Sequence, residues 1–151
     1  MLLVTTCRKP CTNTRIFARN LSNLIPGAEY APRGKKSIYE LIEVARQKGL
    51  RRIAIISDFK GNPGEIEFIK LDKREWDWAG TIFRIKGVKF EKDKKRMREI
   101  KVEGGLKKTV LDLFDVEDSE EPEIVLSADD NGMKFGDKMH IKFEVYKNLE
   151  E

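Results

Sequence analysis

Apolar positions change their spacing several times along the 151 residues, and each change predicts an element. Leu2 to Thr6 is a short apolar, β-branched run that begins almost at the first residue, as a buried strand does. Arg8, Lys9 and Pro10 break that run between Cys7 and Cys11. Beyond them Ile16, Phe17, Leu21, Leu24 and Ile25 fall on one helical face, preceded by the capping residues Thr12, Asn13 and Thr14 and ended by Pro26-Gly27. Ala28 to Tyr30 reads as a short strand and Pro32 to Lys36 as a basic loop. Ser37 and Glu40 then have the spacing of a capping box, opening a helix with Ile38, Leu41, Ile42 and Ala45 inward and Gly49 at its end.

The second part of the chain turns to strands. Arg52 to Ser57 is a continuous apolar run suited to a central strand, and Glu65 to Leu71 alternates like a half-exposed one. Between them, Pro63-Gly64 suits the centre of a type II turn, which predicts a hairpin whose tip carries Lys60 and Asn62. Ala79 to Phe90 predicts a strand pair or one bent strand with Gly87 at a bulge or turn, and Met97 to Val102 a further strand. After Gly104-Gly105, Leu106 to Phe114 is helical in period. Ile124 to Ser127 and Met139 to Tyr146 close the chain as strands, with a tight turn at Asn131-Gly132 between them. This order predicts an α/β fold, a mixed sheet with packed helices. It is expected to be one domain over residues 1–151, divided near 75 into halves 1–75 and 76–151, although no clear sequence repeat marks them.

Composition narrows the class. Hydrophobic residues at 40% are enough for a core, and 37% charged residues rich in Lys and Glu, with two Cys, match proteins adapted to heat. No apolar run approaches the ~20 residues of a membrane span and no basic leader opens the chain, so a cytoplasmic protein is expected. Cys7, Cys11 and the single His140 cannot supply a four-ligand zinc site, and no cofactor or metal is expected. No glycine-rich phosphate loop is present, and His140 has no nucleophile nearby in sequence, so the expectation is a protein that is not an enzyme. Asp129, Asp130 and Asp137 read as turn residues. Trp76 and Trp78 lie on one side of an extended segment, where packing is favoured over base stacking.

Charge changes the picture most. Residues 1–60 hold twelve Lys and Arg against four Asp and Glu, while residues 112–130 hold nine acids and no base. Arg8, Lys9, Arg15 and Arg19 follow the first strand, Arg33, Lys35 and Lys36 precede the second helix, and Lys60 and Asn62 mark the hairpin. Loops at one edge of a sheet converge, so these residues are expected to form one basic edge that holds RNA by its phosphates, helped by backbone N–H groups at the two helix starts. The competing readings are solvated surface charge, and an adaptor that docks basic assembly proteins through the acidic 112–130 segment.

Four ordered segments carry a resemblance: Leu-Leu-Val-Thr-Thr-Cys-Arg-Lys-Pro from residue 2, Thr-Arg-x-Phe-Ala-Arg-x-Leu from 14, Arg-Gly-Lys at 33–35, and Ile-Ser-Asp-Phe-Lys-Gly-Asn-Pro-Gly at 56–64. The chain resembles the archaeal members of the Brix domain family, relatives of the Imp four protein of the eukaryotic small-subunit processome. The likeness is strong over residues 2–72 and weaker beyond. It implies two similar α/β halves, each like the anticodon-binding domain of class II aminoacyl-tRNA synthetases. It also implies binding to ribosomal RNA or pre-rRNA and to ribosome assembly proteins, in a chain expected to be monomeric. The family usually has Ser near position 7, where this chain has Cys7, which argues against a cysteine-dependent activity.

Overall fold

Leu2, Leu3 and Val4 are fully buried because β1 (Leu2–Thr6) runs inside the sheet, in a computed structural model that describes residues 1–147. Its parallel neighbours are β2 (Glu29–Tyr30) and β3 (Arg52–Phe59), so the C-terminal ends of all three strands point to the same edge. The connections between them hold α1 (Thr12–Leu24) and α2 (Ile38–Gln47). Ser37 accepts the Glu40 amide and Glu40 accepts the Ser37 amide, so the capping box forms as its spacing predicts.

The chain then meanders through β4 (Asn62–Leu71) and the 15-residue β5 (Trp76–Phe90), a single strand that bulges at Gly87. It continues through β6 (Ile100–Glu103), α3 (Lys107–Phe114), β7 (Ile124–Asp129), β8 (Gly132–Phe135) and β9 (Met139–Lys147). Among the described residues these form one nine-stranded mixed sheet in the order β2-β1-β3-β4-β5-β9-β8-β7-β6 with three helices, as the predicted α/β class requires. The pairing β1–β3–β4–β5 is parallel, then antiparallel twice, and β6–β7–β8–β9 repeats it. The antiparallel pair β5–β9 joins the two sets. Residues 148–151, the end of the expected second half, lie outside the described residues.

The sheet curls around α1 and α3. One core cluster takes Phe17 and Leu21 from α1, Val110 and Phe114 from α3, and inward side chains such as Phe68, Phe83, Phe135 and Phe143 from the strands. A smaller cluster on the outer face packs Leu41, Ile42 and Ala45 of α2 on Leu3, Ile53, Ile55 and Ile69. Only the first set of strands has such a helix on its outer face among the described residues; the second set shows that face to solvent.

The α1 cap is Cys11, with no side-chain cap bond, rather than Thr12, Asn13 or Thr14, and the strand expected from Met97 begins at Ile100; two turns also differ from expectation. The β3–β4 turn is Lys60-Gly61, both at positive φ (50° and 77°), not Pro63-Gly64. Two residues at positive φ give the turn whose twist matches the strands, and Pro63-Gly64 instead forms a bulge inside β4. Gly64 is needed there because an added Cβ would meet Phe59 Cβ at 2.4 Å. The turn expected at Asn131-Gly132 lies at Asp130-Asn131 and joins β7 not to the last strand but to β8, which begins at Gly132 and pairs with both β7 and β9.

Candidate nucleic-acid interface

The Cys7–Cys11 loop, the loop before α2 and the β3–β4 hairpin all leave the C-terminal ends of parallel strands or start beside them, and hydrogen bonds tie them together. Arg8 Nε donates to the Lys36 carbonyl at 3.4 Å, and Arg33 donates from Nε to the same carbonyl at 2.8 Å and from Nη1 to the Thr6 carbonyl at 3.1 Å. The Cys11 amide donates to Asp58 Oδ2 at 2.9 Å, and Asn13 Nδ2 donates to the Gly61 carbonyl at 3.0 Å and to Asn62 Oδ1 at 3.2 Å. Arg8, Lys9, Arg15, Lys35 and Lys60 are exposed along this edge, with Lys36 half-buried. Arg19 sits about 6 Å beyond Arg15 along α1, at 1.5 Å per residue, with its guanidinium 4.9 Å from the Tyr30 ring centre.

Arg33 differs from the others. It is 9% exposed, and burial together with the neighbouring Arg8 charge holds its proton affinity below the usual arginine value. Its two backbone bonds make it a brace between β1 and the loop that presents Lys35 and Lys36.

A carboxylate stands at each of the two helix starts. At α1 the Asp58 carboxylate receives the Cys11 amide, and its charge opposes a phosphate there. Burial alone would raise the Asp58 carboxyl, but hydrogen bonds from Thr14 and Cys11 outweigh it and hold it below the usual carboxylate range. At α2 the Glu40 amide is already bonded within the capping box. The exposed cationic side chains are the open anion partners along this edge.

Of the eight cations at Arg8, Lys9, Arg15, Arg19, Arg33, Lys35, Lys36 and Lys60, none forms an ion pair among the described residues. The acidic segment goes elsewhere. Asp112 pairs with Arg52 at 2.9 Å and with Lys70, and Asp115 pairs with Arg51 at 2.7 Å, so α3 is clamped to the opposite ends of β3 and β4. Asp118 pairs with Lys107 at 2.8 Å, and Glu123 accepts the Arg98 amide at 2.7 Å. Glu117, Glu120, Glu121 and Asp130 stay exposed without an ion pair among the described residues.

Aromatic groups border the basic edge. Phe59, which its strand position did not single out, is 63% exposed with the Lys60 ammonium 5.2 Å from its ring centre. Its place one residue before the turn was the available signal. Trp76 packs edge-on against Tyr39 beside α2, whereas Trp78 is 42% exposed. Trp78 lines a cleft of 470 Å³ with Arg8, Arg33, Ser57 and Glu67. Burial, then the adjacent Glu65 charge and hydrogen bond, push the Glu67 carboxyl up. No group of three or more His, Cys, Asp or Glu able to hold a metal occurs among the described residues, and no described helix is long and apolar enough to cross a membrane.

Comparison with known proteins bears out the resemblance. The chain is 39% identical over 93 residues to a Pyrococcus horikoshii protein named "Probable Brix domain-containing ribosomal biogenesis protein", covering 62% of this chain and 41% of the relative. A Thermococcus kodakarensis protein of the same name is 37% identical over 93 residues, covering 62% and 44%. In these alignments the chain spans less than half the length of the curated relatives. Two crystal structures share the fold: the probable ribosomal biogenesis protein from Aeropyrum pernix K1, with a TM-score of 0.75, 24% identity and coverage of 99% and 97%, and Mil, an archaeal Imp4-like protein, with a TM-score of 0.71, 25% identity and coverage of 96% and 99%. No protein-family model matches the chain.

Proposed function

We propose that this chain is a ribosome biogenesis factor that holds pre-ribosomal RNA along the basic edge and assists its folding and processing as a binding protein, without catalysis. The observation that carries this reading is the set of cations at one end of the sheet with no ion pair among the described residues, in a chain whose homologues are named for ribosome biogenesis. Unpaired Lys and Arg leave a positive potential that a polyanion neutralises with release of its counterions. Phosphate contacts fix position more than sequence, so RNA shape would dominate selection. Lys9, Lys35, Lys36, Lys60, Arg8 and Arg15 make the contacts in this reading, with Asn62 beside them, Arg33 as brace and Arg19 at the flank.

The repeated strand pairing supports the reading of one domain built from two related halves that meet near residue 75, each akin to a synthetase anticodon-binding domain. The expected setting is the cytoplasm of a heat-adapted archaeon, with the protein acting as a monomer alongside assembly proteins. The adaptor reading loses support because four members of the acidic segment, Asp112, Asp115, Asp118 and Glu123, bind within the chain itself.

Ultraviolet crosslinking in cells, followed by sequencing of the bound RNA and mapping of crosslinked peptides, tests this. The expected result is pre-rRNA joined to peptides spanning 8–15, 33–36 and 59–62. Crosslinks confined to residues remote from those loops, or capture of proteins with no RNA, would refute it.

A further inference from the structure

Among the described residues, no helix covers the outer face of the second strand set, and its composition is not that of an idle solvent surface. Along β9 the outward residues are His140, Lys142, Glu144 and Tyr146, while Ile141 and Phe143 point into the core. Strand register sets Lys89 of β5 and Lys134 of β8 on either side of His140, so the two ammonium stems stand about 10 Å apart across two strand spacings. Lys142 follows two residues along the same face. None of Lys89, Lys134 and Lys142 has an ion pair among the described residues, unlike Lys86, which pairs with Glu144, and Arg84, which reaches Glu65.

The same face carries aromatic rings. Tyr146 is 39% exposed with the Arg84 guanidinium 4.1 Å from its ring centre, and Trp78 is 42% exposed on neighbouring β5. Trp78 also lines the 470 Å³ cleft shared with Arg8, and a second groove of 660 Å³ runs past Phe59, Arg84 and Lys86. The basic loop edge and the open face are therefore continuous through Trp78 and Phe59. Exposed rings beside free cations are the two elements that hold single strands, since bases stack on rings while phosphates meet ammonium groups. A duplex cannot use those rings, because its bases are already stacked on one another.

We propose that the open face of β5, β9 and β8 is a second RNA site, a platform on which a single strand leaving the loop edge stacks on Trp78 and Tyr146 and lays its phosphates on Lys142, Lys134 and Lys89. This rests on the reading that the chain binds RNA, and it adds a separate surface and a preference for unpaired strands. The electrostatics agree with the geometry. The His140 proton affinity is lowered by burial and then by Lys134, Lys142 and Lys89, against one opposing carboxylate, Asp129.

His140 is the only histidine, so its imidazole protons give a single reporter at the centre of the platform. Proton NMR titration of the full chain, with and without a 12-nucleotide oligouridylate, reads the face, while fluorescence anisotropy of the labelled oligonucleotide reads total binding. Bound phosphates would offset the lysines, so the His140 pKa should rise by about half a unit or more on saturation. That rise should be lost in Lys134→Glu with Lys142→Glu, both exposed positions, and retained in Lys9→Glu with Lys60→Glu at saturating oligonucleotide. A blunt duplex of equal length should leave His140 within about a tenth of a unit, since it has no unpaired bases to stack. Binding by anisotropy with an unmoved His140 would overturn the platform and leave the loop edge standing. Absence of binding to either RNA would overturn both, and an equal response to the duplex would overturn the single-strand preference.

Discussion

β1 and β3 present cations at both of their ends, and the chain treats the two ends in opposite ways. At the end where β3 begins, Arg51, Arg52 and Lys70 are all matched, to Asp115 and Asp112, which lie 42 to 64 residues further on, Asp112 within α3 and Asp115 at its C-terminal cap. At the other end Lys9, Lys35 and Lys60 reach solvent with no carboxylate paired to them among the described residues. Excess charge in the first 60 residues is therefore not uniform surface solvation. One end uses charge to attach the second half of the chain, and the other leaves it available.

The largest effect expected from breaking this contrast is on RNA affinity. Lys9→Glu, Lys35→Glu and Lys60→Glu combined, one from each loop, should weaken binding to a structured pre-rRNA fragment by on the order of a hundredfold, because three phosphate contacts become repulsive. Arg51→Ala should leave that affinity within about twofold, since its charge is already neutralised. Anisotropy titrations at one salt concentration compare them, and an equal loss in both would erase the distinction between the ends.

Stability should respond the other way round. Asp115→Asn keeps a residue that tolerates the left-handed backbone at φ 52° but removes the charge that binds Arg51, and should cost about 1–3 kcal/mol in urea unfolding. The triple lysine variant should unfold within about 0.5 kcal/mol of the parent, as exposed substitutions do.

Acid should select the paired end. Burial alone would raise the carboxyls of Asp112 and Asp115, but hydrogen bonds and charge from Lys70 and Arg52, and from the Met1 amine and Arg51, hold both below the ordinary range. A folded value below the unfolded one stabilises the fold above the unfolded pKa near 3.9, and that stability is lost as pH falls through the folded values. Asp112→Asn with Asp115→Asn should therefore flatten the decline of stability below about pH 4, measured by urea unfolding at stepped pH. An unchanged acid profile would show that the clamp contributes nothing.

The smallest effect concerns the loop that presents Lys35 and Lys36. Ser37→Ala removes the capping box of α2 and should cost about 1 kcal/mol, with a modest loss of RNA affinity from a looser loop. Thermal melts and anisotropy on the same sample check both.

Local signals foretold much of this architecture. The Ser37 and Glu40 box, the helical spacing from Ile16 to Leu24 and the apolar run of β3 each act within a few residues, and each forms where its pattern lies. The hairpin tip was misplaced because Pro63-Gly64 is a strong turn pair, while the need for a bare Cα beside Phe59 arises only after β3 and β4 pair. β8 was missed because four residues with two inward side chains, Met133 and Phe135, give too little alternation to count. Convergence of the basic loops followed from strand direction, and so was readable. Which cations find carboxylates was not, because Arg51 and Asp115 meet only through the tertiary fold, and the brace role of Arg33 depends on carbonyls of Thr6 and Lys36 that no pattern marks.

The most direct test is the salt dependence of RNA binding in the parent, the triple lysine variant and Arg51→Ala. With about six phosphates engaged at roughly −0.7 each, the slope of log affinity against log salt should lie near −4 in the parent and in Arg51→Ala and fall to about −2 in the triple variant. A slope near zero in the parent, or the same slope in all three, would contradict the claim that one end of the sheet holds its positive charge free for RNA.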